Sequence, residues 1–298
     1  MKFTKMHGCG NDYVYVDGGR EHIDMSDKPE AVRRLSDRHT GIGGDGVIFI
    51  NPSDVSDFEM EMWNADGTRS EMCGNGIRCV AKYVYDYKLT DKTKLDIVSA
   101  GSIKHIELYL GEDSKVERVR VDMGAPIFDP ALVPIEPKDS AVNALNTYET
   151  GMCEASLSIR DPKSGEEITV NPFACVSMGN PHAITLVNDV QSADVHGTGP
   201  VVENHSFFPK RTNVEFIHVV DRSHIDMRVW ERGTGETMAC GTGACASAVA
   251  CMVKGLCDSK TDVKLLGGTL TIEWDGTKEG HVFMTGPATE VFSGEVDI

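Results

Sequence analysis

The chain has 298 residues, 40% of them hydrophobic and 25% charged, a composition typical of a globular protein with a sizeable core. It carries 29 Lys and Arg against 46 Asp and Glu, so its net charge at pH 7 is −17. That charge argues against nucleic acid and anionic membrane as partners. The N-terminal residues lack the apolar stretch of a signal peptide and no apolar run could span a bilayer, so we expect a cytoplasmic protein.

Nine cysteines, an odd number, are spread along the chain without a C-x-x-C pair. This usage indicates reduced thiols rather than a disulfide framework or a dithiol redox site. No further ligand stands at zinc-site spacing, so we expect no metal. Most of the cysteines are expected to be inert residues of the core. These are Cys9, Cys79, Cys153, Cys175, Cys245, Cys251 and Cys257.

The first predicted element is a helix at Pro29–Arg38, which Asp27 and Glu30 open in the spacing of a capping box. A strand with charges at every second position follows at 58–63. The next element is a helix directly after Cys73, because apolar residues recur there at helical spacing. Those residues are Ile77, Val80, Ala81 and Val84.

Strands rich in β-forming residues follow at 103–110 and 116–121. The proline-rich stretch 125–165 predicts the link between two halves of the chain. A third helix is expected after Cys240, and because it is apolar on every side it should be enclosed by other elements. The remaining predicted strands lie at 213–220, 225–230, 269–274 and 281–284.

Two stretches of the chain resemble one another. Trp63 precedes the run Cys-Gly-Asn-Gly at Cys73, and Trp230 precedes the run Cys-Gly-Thr-Gly at Cys240. The Trp-to-Cys spacing is ten residues both times, and the two copies are 167 residues apart. This repeat indicates a duplicated unit that presents a cysteine twice.

A second repeat supports the duplication, because the stretch from Gly10-Asn11 resembles the stretch from Gly179-Asn180 at an offset of 169. The sequence therefore predicts an α/β fold that is rich in strands. We expect two pseudo-symmetric halves, each a sheet wrapped around a central helix.

Each Cys-Gly-x-Gly turn stands directly before a predicted helix. Glycines there allow positive φ and close approach of a ligand to the backbone. The N–H groups at a helix start bind anions, and the same field should lower the pKa of the cysteine. One such unit therefore offers a reactive thiol together with a cradle for a carboxylate.

Two such units suit racemisation or epimerisation at an α-carbon. One thiolate removes the α-proton from one face, and the other thiol delivers a proton to the opposite face. Backbone N–H groups stabilise the charge that grows into the carboxylate. The two thiols, Cys73 and Cys240, should titrate as a pair, with one ionised and the other protonated.

The motifs resemble those of the diaminopimelate epimerases, which are amino acid epimerases independent of pyridoxal phosphate. Four stretches carry the resemblance: Met6–Asp12, Trp63–Asn75, Ser177–His182 and Glu231–Gly243. The resemblance implies interconversion of LL- and meso-2,6-diaminopimelate for lysine and peptidoglycan precursor synthesis. It further implies that no cofactor is needed, that the site lies in a cleft between the halves and that the chain forms a homodimer.

The resemblance also implies roles for individual residues. Cys73 and Cys240 match the catalytic acid/base thiols, with His182 and Glu231 as auxiliary groups that assist proton transfer and binding. Arg232 matches the residue that grips the distal carboxylate. The turns that hold the reacting carboxylate are Gly74, Asn75, Gly241 and Thr242. The side chains that bind the rest of the substrate are Asn11, Asn64, Asn180 and Asn213, together with Glu231.

The expected division is an N-terminal half, 1–135, completed by strands at about 286–298, and a C-terminal half, 136–285. The chain departs from the family pattern at Gly46, where many members carry Gln. The segments 135–170 and 188–212 look longer than usual, and we interpret both as surface insertions. Two other functions stay open: a proline-racemase-like enzyme, whose first motif usually reads C-G-H-G, and a non-catalytic amino-acid-binding module.

Overall fold

A computed structural model describes residues 1–21, 23–70, 74–138, 142–160 and 164–297. The chain divides into two compact units. The first comprises Met1–Asp122 with Thr285–Ile298, and the second comprises Met123–Met284. The mixed α/β, strand-rich architecture predicted from the sequence is confirmed. The predicted boundaries of the halves, 1–135 completed by about 286–298 and 136–285, stay a prediction.

Within the described residues, the first unit contains two helices, and all of its strands but the last come from the N-terminal part of the chain. The helices are α1 (Lys28–Ser36) and α2 (Gly74–Asp86). The strands are β1 (Lys2–Gly8), β2 (Asn11–Asp17), β3 (Gly46–Asn51), β4 (Phe58–Asn64), β5 (Arg69–Ser70), β6 (Lys94–Ser99), β7 (Ser102–Leu110), β8 (Val116–Asp122) and β20 (Thr289–Glu295).

The second unit contains the other two helices, α3 (Val195–Glu203) and α4 (Gly241–Val253). Its strands are β9 (Val142–Thr147), β10 (Cys153–Arg160), β11 (Glu167–Thr169), β12 (Phe173–Ser177), β13 (Pro181–Leu186), β14 (Asn213–Asp221), β15 (His224–Glu231), β16 (Gly235–Glu236), β17 (Lys260–Leu265) and β18 (Gly268–Glu273). The boundary between the units falls within β19 (Phe283–Pro287).

The two units repeat one pairing pattern. In the first, β20, β1, β2, β3, β4, β6 and β7 pair in that order, with β2–β3 and β4–β6 parallel. In the second, β10, β12, β13, β14, β15, β17 and β18 pair in that order, with β13–β14 and β15–β17 parallel. The helices follow the same repeat, since α1 and α3 start 167 residues apart, as do α2 and α4. The structure thus confirms the duplication indicated by the sequence.

The predicted helices after Cys73 and Cys240 are confirmed as α2 and α4, each 13 residues long. The four apolar positions that predicted α2 are all buried. Ten of the thirteen residues of α4 are buried, so this helix is enclosed as expected. The helix α1 begins at Lys28, and its N-cap Asp27 makes no side-chain capping bond, so the predicted capping box does not form. None of the helices within the described ranges is long and apolar enough to cross a membrane.

The interpretation of 135–170 and 188–212 as surface insertions is wrong. The first segment contributes β9 and β10 to the sheet of the second unit, so it is also more than a link. The second segment contains α3, the counterpart of α1. Both segments contribute side chains to the hydrophobic core of this unit. Leu157 comes from the first segment and Val202 and Phe207 from the second, and each is 0% exposed. The last predicted strand, 281–284, forms two residues later as β19.

Candidate active site

In the second unit the candidate site is built around the start of α4. Cys240 is the N-cap residue of this helix and is only 5% exposed. The backbone N–H of Gly243 donates to Cys240 Sγ at 3.4 Å, and Thr242 Oγ1 lies 3.5 Å from the same sulfur. Gly241 and Gly243 are not among the described glycines with positive φ, so this turn does not use the positive φ that glycine allows. The Cys240 sulfur is therefore held by the first turn of the helix itself.

The expectation that the helix start lowers the pKa of Cys240 is wrong for this thiol. Burial raises the pKa of Cys240 well above its ordinary value, and the negative charges of Glu231 and Glu215 raise it further. The contacts with Thr242 and the Gly243 N–H lower this pKa, but by less. The described surroundings therefore favour the protonated thiol at Cys240.

Strand pairing places three candidate residues of the second unit side by side. His182 on β13 stands opposite Asn213 on the parallel strand β14. Val214 pairs with Trp230, so the neighbouring residues Asn213 and Glu231 lie at the same end of β14 and β15. The structure thus brings His182, Asn213 and Glu231 together at the strand ends next to α4.

Glu231 is held close to the cysteine. The hydroxyl of Thr237 donates to Glu231 Oε1. Burial is the largest influence on this carboxyl and raises its pKa, and the charge of Glu215 acts in the same direction. The contact with Thr237, the charge of His182 and the thiol of Cys240 lower the pKa by less. Glu231 thus combines a raised pKa with a direct interaction with Cys240, which suits it to proton exchange.

The side chains of Asn213 and Arg232 also form hydrogen bonds with the backbone. Asn213 Nδ2 donates to the carbonyl of Pro181 at 3.0 Å, and Asn213 Oδ1 accepts from the backbone N–H of Arg232 at 2.9 Å. Because an amide nitrogen carries two hydrogens, Asn213 keeps one donor for a ligand. Arg232 is exposed, and its Nη1 donates to the carbonyl of Lys210 at 3.1 Å.

In the first unit the candidate site is built around the start of α2. Asn75 is 3% exposed, and its Nδ2 lies 3.4 Å from Asn11 Oδ1. Arg78, which is fully buried, donates to Asn75 Oδ1 at 3.0 Å and to the carbonyl of Gly74 at 3.0 Å. A Cβ at Gly8 would lie 2.9 Å from Arg78 Nη2, so this close packing requires glycine. The structure brings Asn11, Gly74 and Asn75 together, as the resemblance implies.

Asp45 joins Asn11 to the turn that holds Asn64. Asn11 Nδ2 donates to Asp45 Oδ2 at 2.6 Å, and the backbone N–H of Ala65 donates to the Asp45 carbonyl at 3.0 Å. Asn64 Nδ2 in turn donates to Thr68 Oγ1 at 3.1 Å. Asp45 thus connects two candidate substrate-binding residues of the first unit.

At Gly46 the departure from the family pattern has a structural consequence. A Cβ there would lie 2.0 Å from the carbonyl oxygen of Trp63, so no larger residue fits this backbone. Gly46 pairs with Asn64, just as Asn213 stands next to Glu231 in the second unit. The first unit therefore lacks a side chain where the second has Asn213.

Cys73 lies outside the described residues. Among the residues that contact the candidate groups, sequence reasoning missed the charged residues Asp45, Arg78 and Glu215. For Arg78 and Glu215 a signal was available, since each is flanked by apolar residues within a predicted element, and a buried charge needs a partner. Within the described ranges, no group of three or more His, Cys, Asp or Glu side chains is arranged to hold a metal ion.

Solved structures define the class of fold. A phenazine biosynthesis protein of the PhzF family from Bacillus anthracis matches with a TM-score of 0.68 at 16% identity, covering 100% of this chain and 99% of that chain. A probable proline racemase from Agrobacterium radiobacter matches with a TM-score of 0.68 at 14% identity, covering 100% of this chain and 93% of that chain. The chain therefore has the two-unit fold of the PhzF and proline racemase-like proteins.

Sequence comparisons narrow the assignment to one family. The family model for diaminopimelate epimerase matches residues 3–128 and 174–291. A diaminopimelate epimerase of Agathobacter rectalis is 52% identical over 298 residues, and one of Methanococcus maripaludis is 50% identical over 302 residues. Each alignment covers 100% of both proteins. The chain belongs to the diaminopimelate epimerase family.

Proposed function

We propose that this protein is an isomerase that interconverts LL- and meso-2,6-diaminopimelate, a step in lysine and peptidoglycan precursor synthesis. The observation that carries the proposal is the match to diaminopimelate epimerases, with identity near 50% over whole chains. The environment of Cys240 supports it, since the thiol caps a helix beside Glu231. The proposal invokes no cofactor.

The proposed reaction moves one proton at each thiol. The thiolate of one cysteine takes the α-proton of the substrate, and the electron pair left on the carbon spreads into the carboxylate. The thiol of the other cysteine then gives its proton to the opposite face of the carbon. Cys73 and Cys240 end the turnover with their protonation exchanged, and the reverse reaction starts from that form.

The helix starts suit the proposed role of binding the reacting carboxylate. The first backbone N–H groups of a helix lack partners within it, and the helix dipole favours an anion there. We assign this role to Gly74 and Asn75 of α2 and to Gly241 and Thr242 of α4. Because these donors face growing negative charge, they stabilise the transition state more than the bound substrate.

The remaining candidate residues are proposed to hold the rest of the substrate. Asn amides donate and accept hydrogen bonds, so they suit an ammonium and a carboxylate at the end that does not react. The residues are Asn11, Asn64, Asn180 and Asn213. Arg232 is proposed to bind the distal carboxylate through its guanidinium nitrogens, and its exposed side chain supports that role. Glu231 and His182 are proposed to assist proton transfer at Cys240.

A proline-racemase-like function is not favoured, because the matched proline racemase shares only 14% identity and so supports the fold alone. We also propose that the chain is a cytoplasmic homodimer, as the resemblance implies. The eight described cysteines are free thiols, which supports a reducing compartment. Sedimentation equilibrium giving the 32.5 kDa of one chain, rather than twice that mass, would contradict the dimer.

A substrate panel tests the proposed function. The purified protein is incubated separately with LL-diaminopimelate, meso-diaminopimelate, L-proline and trans-4-hydroxy-L-proline, and the stereoisomers are separated by chiral chromatography. We expect both diaminopimelate isomers to reach one common mixture, with proline and hydroxyproline unchanged. Turnover of proline but not of diaminopimelate would contradict the proposal. So would tight binding of diaminopimelate without any conversion.

A further inference from the structure

Glu215 is a buried carboxylate of the second unit to which the proposed reaction gives no role. It lies on β14 between Val214 and Phe216, and it is 0% exposed. Residues two apart on a strand share a face, so Glu215 lies on the same face of β14 as Asn213. A buried carboxylate is costly unless it is paired, so its contacts need an explanation.

Glu215 contacts His182 directly. Its Oε1 lies 2.6 Å from His182 Nδ1, and both side chains are fully buried. The other ring nitrogen, His182 Nε2, lies 3.1 Å from Asn180 Oδ1. Glu215 Oε2 has no hydrogen-bond partner among the described residues. Among the described residues, the side chain that the Glu215 carboxylate hydrogen-bonds is therefore the imidazole of His182.

The carboxylate of Glu215 also lies against the first turn of α4. A Cβ added at Gly243 would lie 2.6 Å from Glu215 Oε1 and 3.3 Å from Cys240 Sγ. Only glycine at this position leaves room for both groups. A negative charge is stabilised at the N-terminus of a helix, which offsets part of the cost of burying Glu215.

The two contacts of His182 orient its ring. An amide oxygen only accepts, so His182 Nε2 donates a hydrogen to Asn180 Oδ1. At the same time Nδ1 forms a hydrogen bond with Glu215 Oε1. The carboxylate thus holds the imidazole in one orientation.

The first unit has no equivalent pair. At the 167-residue offset of the cysteine motifs, the counterpart of Glu215 is Ile48. At the 169-residue offset of the Gly-Asn motifs, the counterpart of His182 is Tyr13. Ile48 is 0% exposed and apolar, so the duplication alone does not require a charge at this position. The Glu215–His182 pair is therefore an addition specific to the half of the chain that carries Cys240.

We propose that Glu215 is a positioning residue that acts through His182. It holds Nδ1 of the imidazole, so that the Nε2 hydrogen orients the amide of Asn180 for the substrate. The inference rests on the proposed function, because it assigns Asn180 to substrate binding. The competing explanation is that Glu215 only fills space and satisfies a buried histidine.

Kinetics of Glu215→Gln separate these explanations, because Gln keeps the size and shape of the side chain but replaces its carboxylate with an amide. We expect kcat to fall about 10- to 100-fold, by analogy with the loss seen when hydrogen-bond partners of metal-ligating histidines are removed. Glu154→Gln is the matched control. Glu154 is also a buried glutamate of the second unit, 7% exposed, and it pairs with Lys254 and Tyr148 away from the candidate residues. We expect its kcat to stay within about twofold of wild type.

A double-mutant cycle tests whether Glu215 acts through His182. In a His182→Asn background, the further change Glu215→Gln should lower kcat by less than about twofold. The histidine through which Glu215 acts is already absent in that background. A full additional loss would contradict the proposal, as would a kcat for Glu215→Gln equal to that of the Glu154→Gln control.

A spectroscopic readout is independent of the substrate. The ¹⁵N signals of His182 can be assigned as those that disappear in His182→Asn. We expect Glu215→Gln to move them, whereas Glu154→Gln should not. Unchanged His182 signals would overturn the inference even if activity fell. If wild type failed to convert diaminopimelate, the proposed function would fail, while these signals would still report on the Glu215–His182 pair.

Discussion

At the scale of single residues, the acidic neighbours of Cys240 are not repeated at the equivalent sequence positions of the first unit. Cys240 is next to Glu231 and near Glu215, and their negative charges raise its pKa. The position equivalent to Glu231 in the first unit is the neutral Asn64, and that of Glu215 is Ile48. We therefore expect Cys240 to be protonated in the free protein, ready to donate a proton.

Alkylation of Cys240 tests this assignment through Glu231→Gln. The Glu231 charge raises the pKa of Cys240, so its removal lowers that pKa and leaves more thiolate at pH 7.5. Because the thiolate is the nucleophile, Cys240 should react with iodoacetamide several-fold faster, even though epimerisation slows. Peptide mass spectrometry over time measures the rate at this cysteine. An unchanged or slower rate, relative to Glu154→Gln, would contradict the account.

The sequence predicted the residues that lie within its motifs and missed those that act through tertiary contacts. Cys240, Glu231 and His182 stand in motifs and could be named. Glu215 is 33 positions from His182, and their contact depends on the parallel pairing of β13 and β14 around α3. No local pattern encodes that register, so only the fold reveals the pair.

At the scale of elements, helical periodicity predicted α2 and a run of small apolar residues predicted α4, but neither signal predicted α3. Val195–Glu203 contains two glycines and Pro200, which are poor helix formers. Its helix is supported instead by packing of Gly199 on Trp230, where an added Cβ would lie 2.7 Å from the Trp230 side chain. Tertiary contact overrides local propensity here, and this is why no local signal predicted the helix.

Two alanine substitutions within α3 test this packing. Ala is the better helix former, yet Gly199→Ala should lower the free energy of unfolding by about 1–3 kcal/mol because it overpacks the contact with Trp230. Gly197→Ala is the control. The three atoms nearest to its Cβ would belong to the carboxylate of Asp194, which is the end of an exposed side chain rather than a buried ring. Urea unfolding should show a neutral or stabilising effect there, and equal losses from both substitutions would contradict the explanation.

At the scale of the whole molecule, one unit occurs twice with the same strand order and a common offset of 167 residues for the helices. The repeat of two cysteine motifs was enough to predict a duplicated, strand-rich fold. The boundaries were harder to predict because β20, at the end of the chain, pairs with β1 at its beginning. Such a pairing over nearly 300 positions leaves no local trace in the sequence.

The duplication has a chemical counterpart, since epimerisation moves one proton off a carbon and another onto it. A unit with one thiol at a helix start serves either step, and a second copy serves the other. Glu215 and His182 have Ile48 and Tyr13 as their sequence counterparts in the first unit, which indicates that the copies have diverged while a cysteine stands in both motifs. The central claim is thus that Cys73 and Cys240 share one turnover.

Deuterium incorporation from D₂O tests this claim most directly. Wild type, Cys73→Ala and Cys240→Ala are incubated with LL-diaminopimelate, and the α-deuterium of each stereoisomer is followed by mass spectrometry. Wild type should form meso-diaminopimelate that carries solvent deuterium at the inverted centre, while both variants should form none. Full epimerisation by either single-cysteine variant would contradict the two-thiol account.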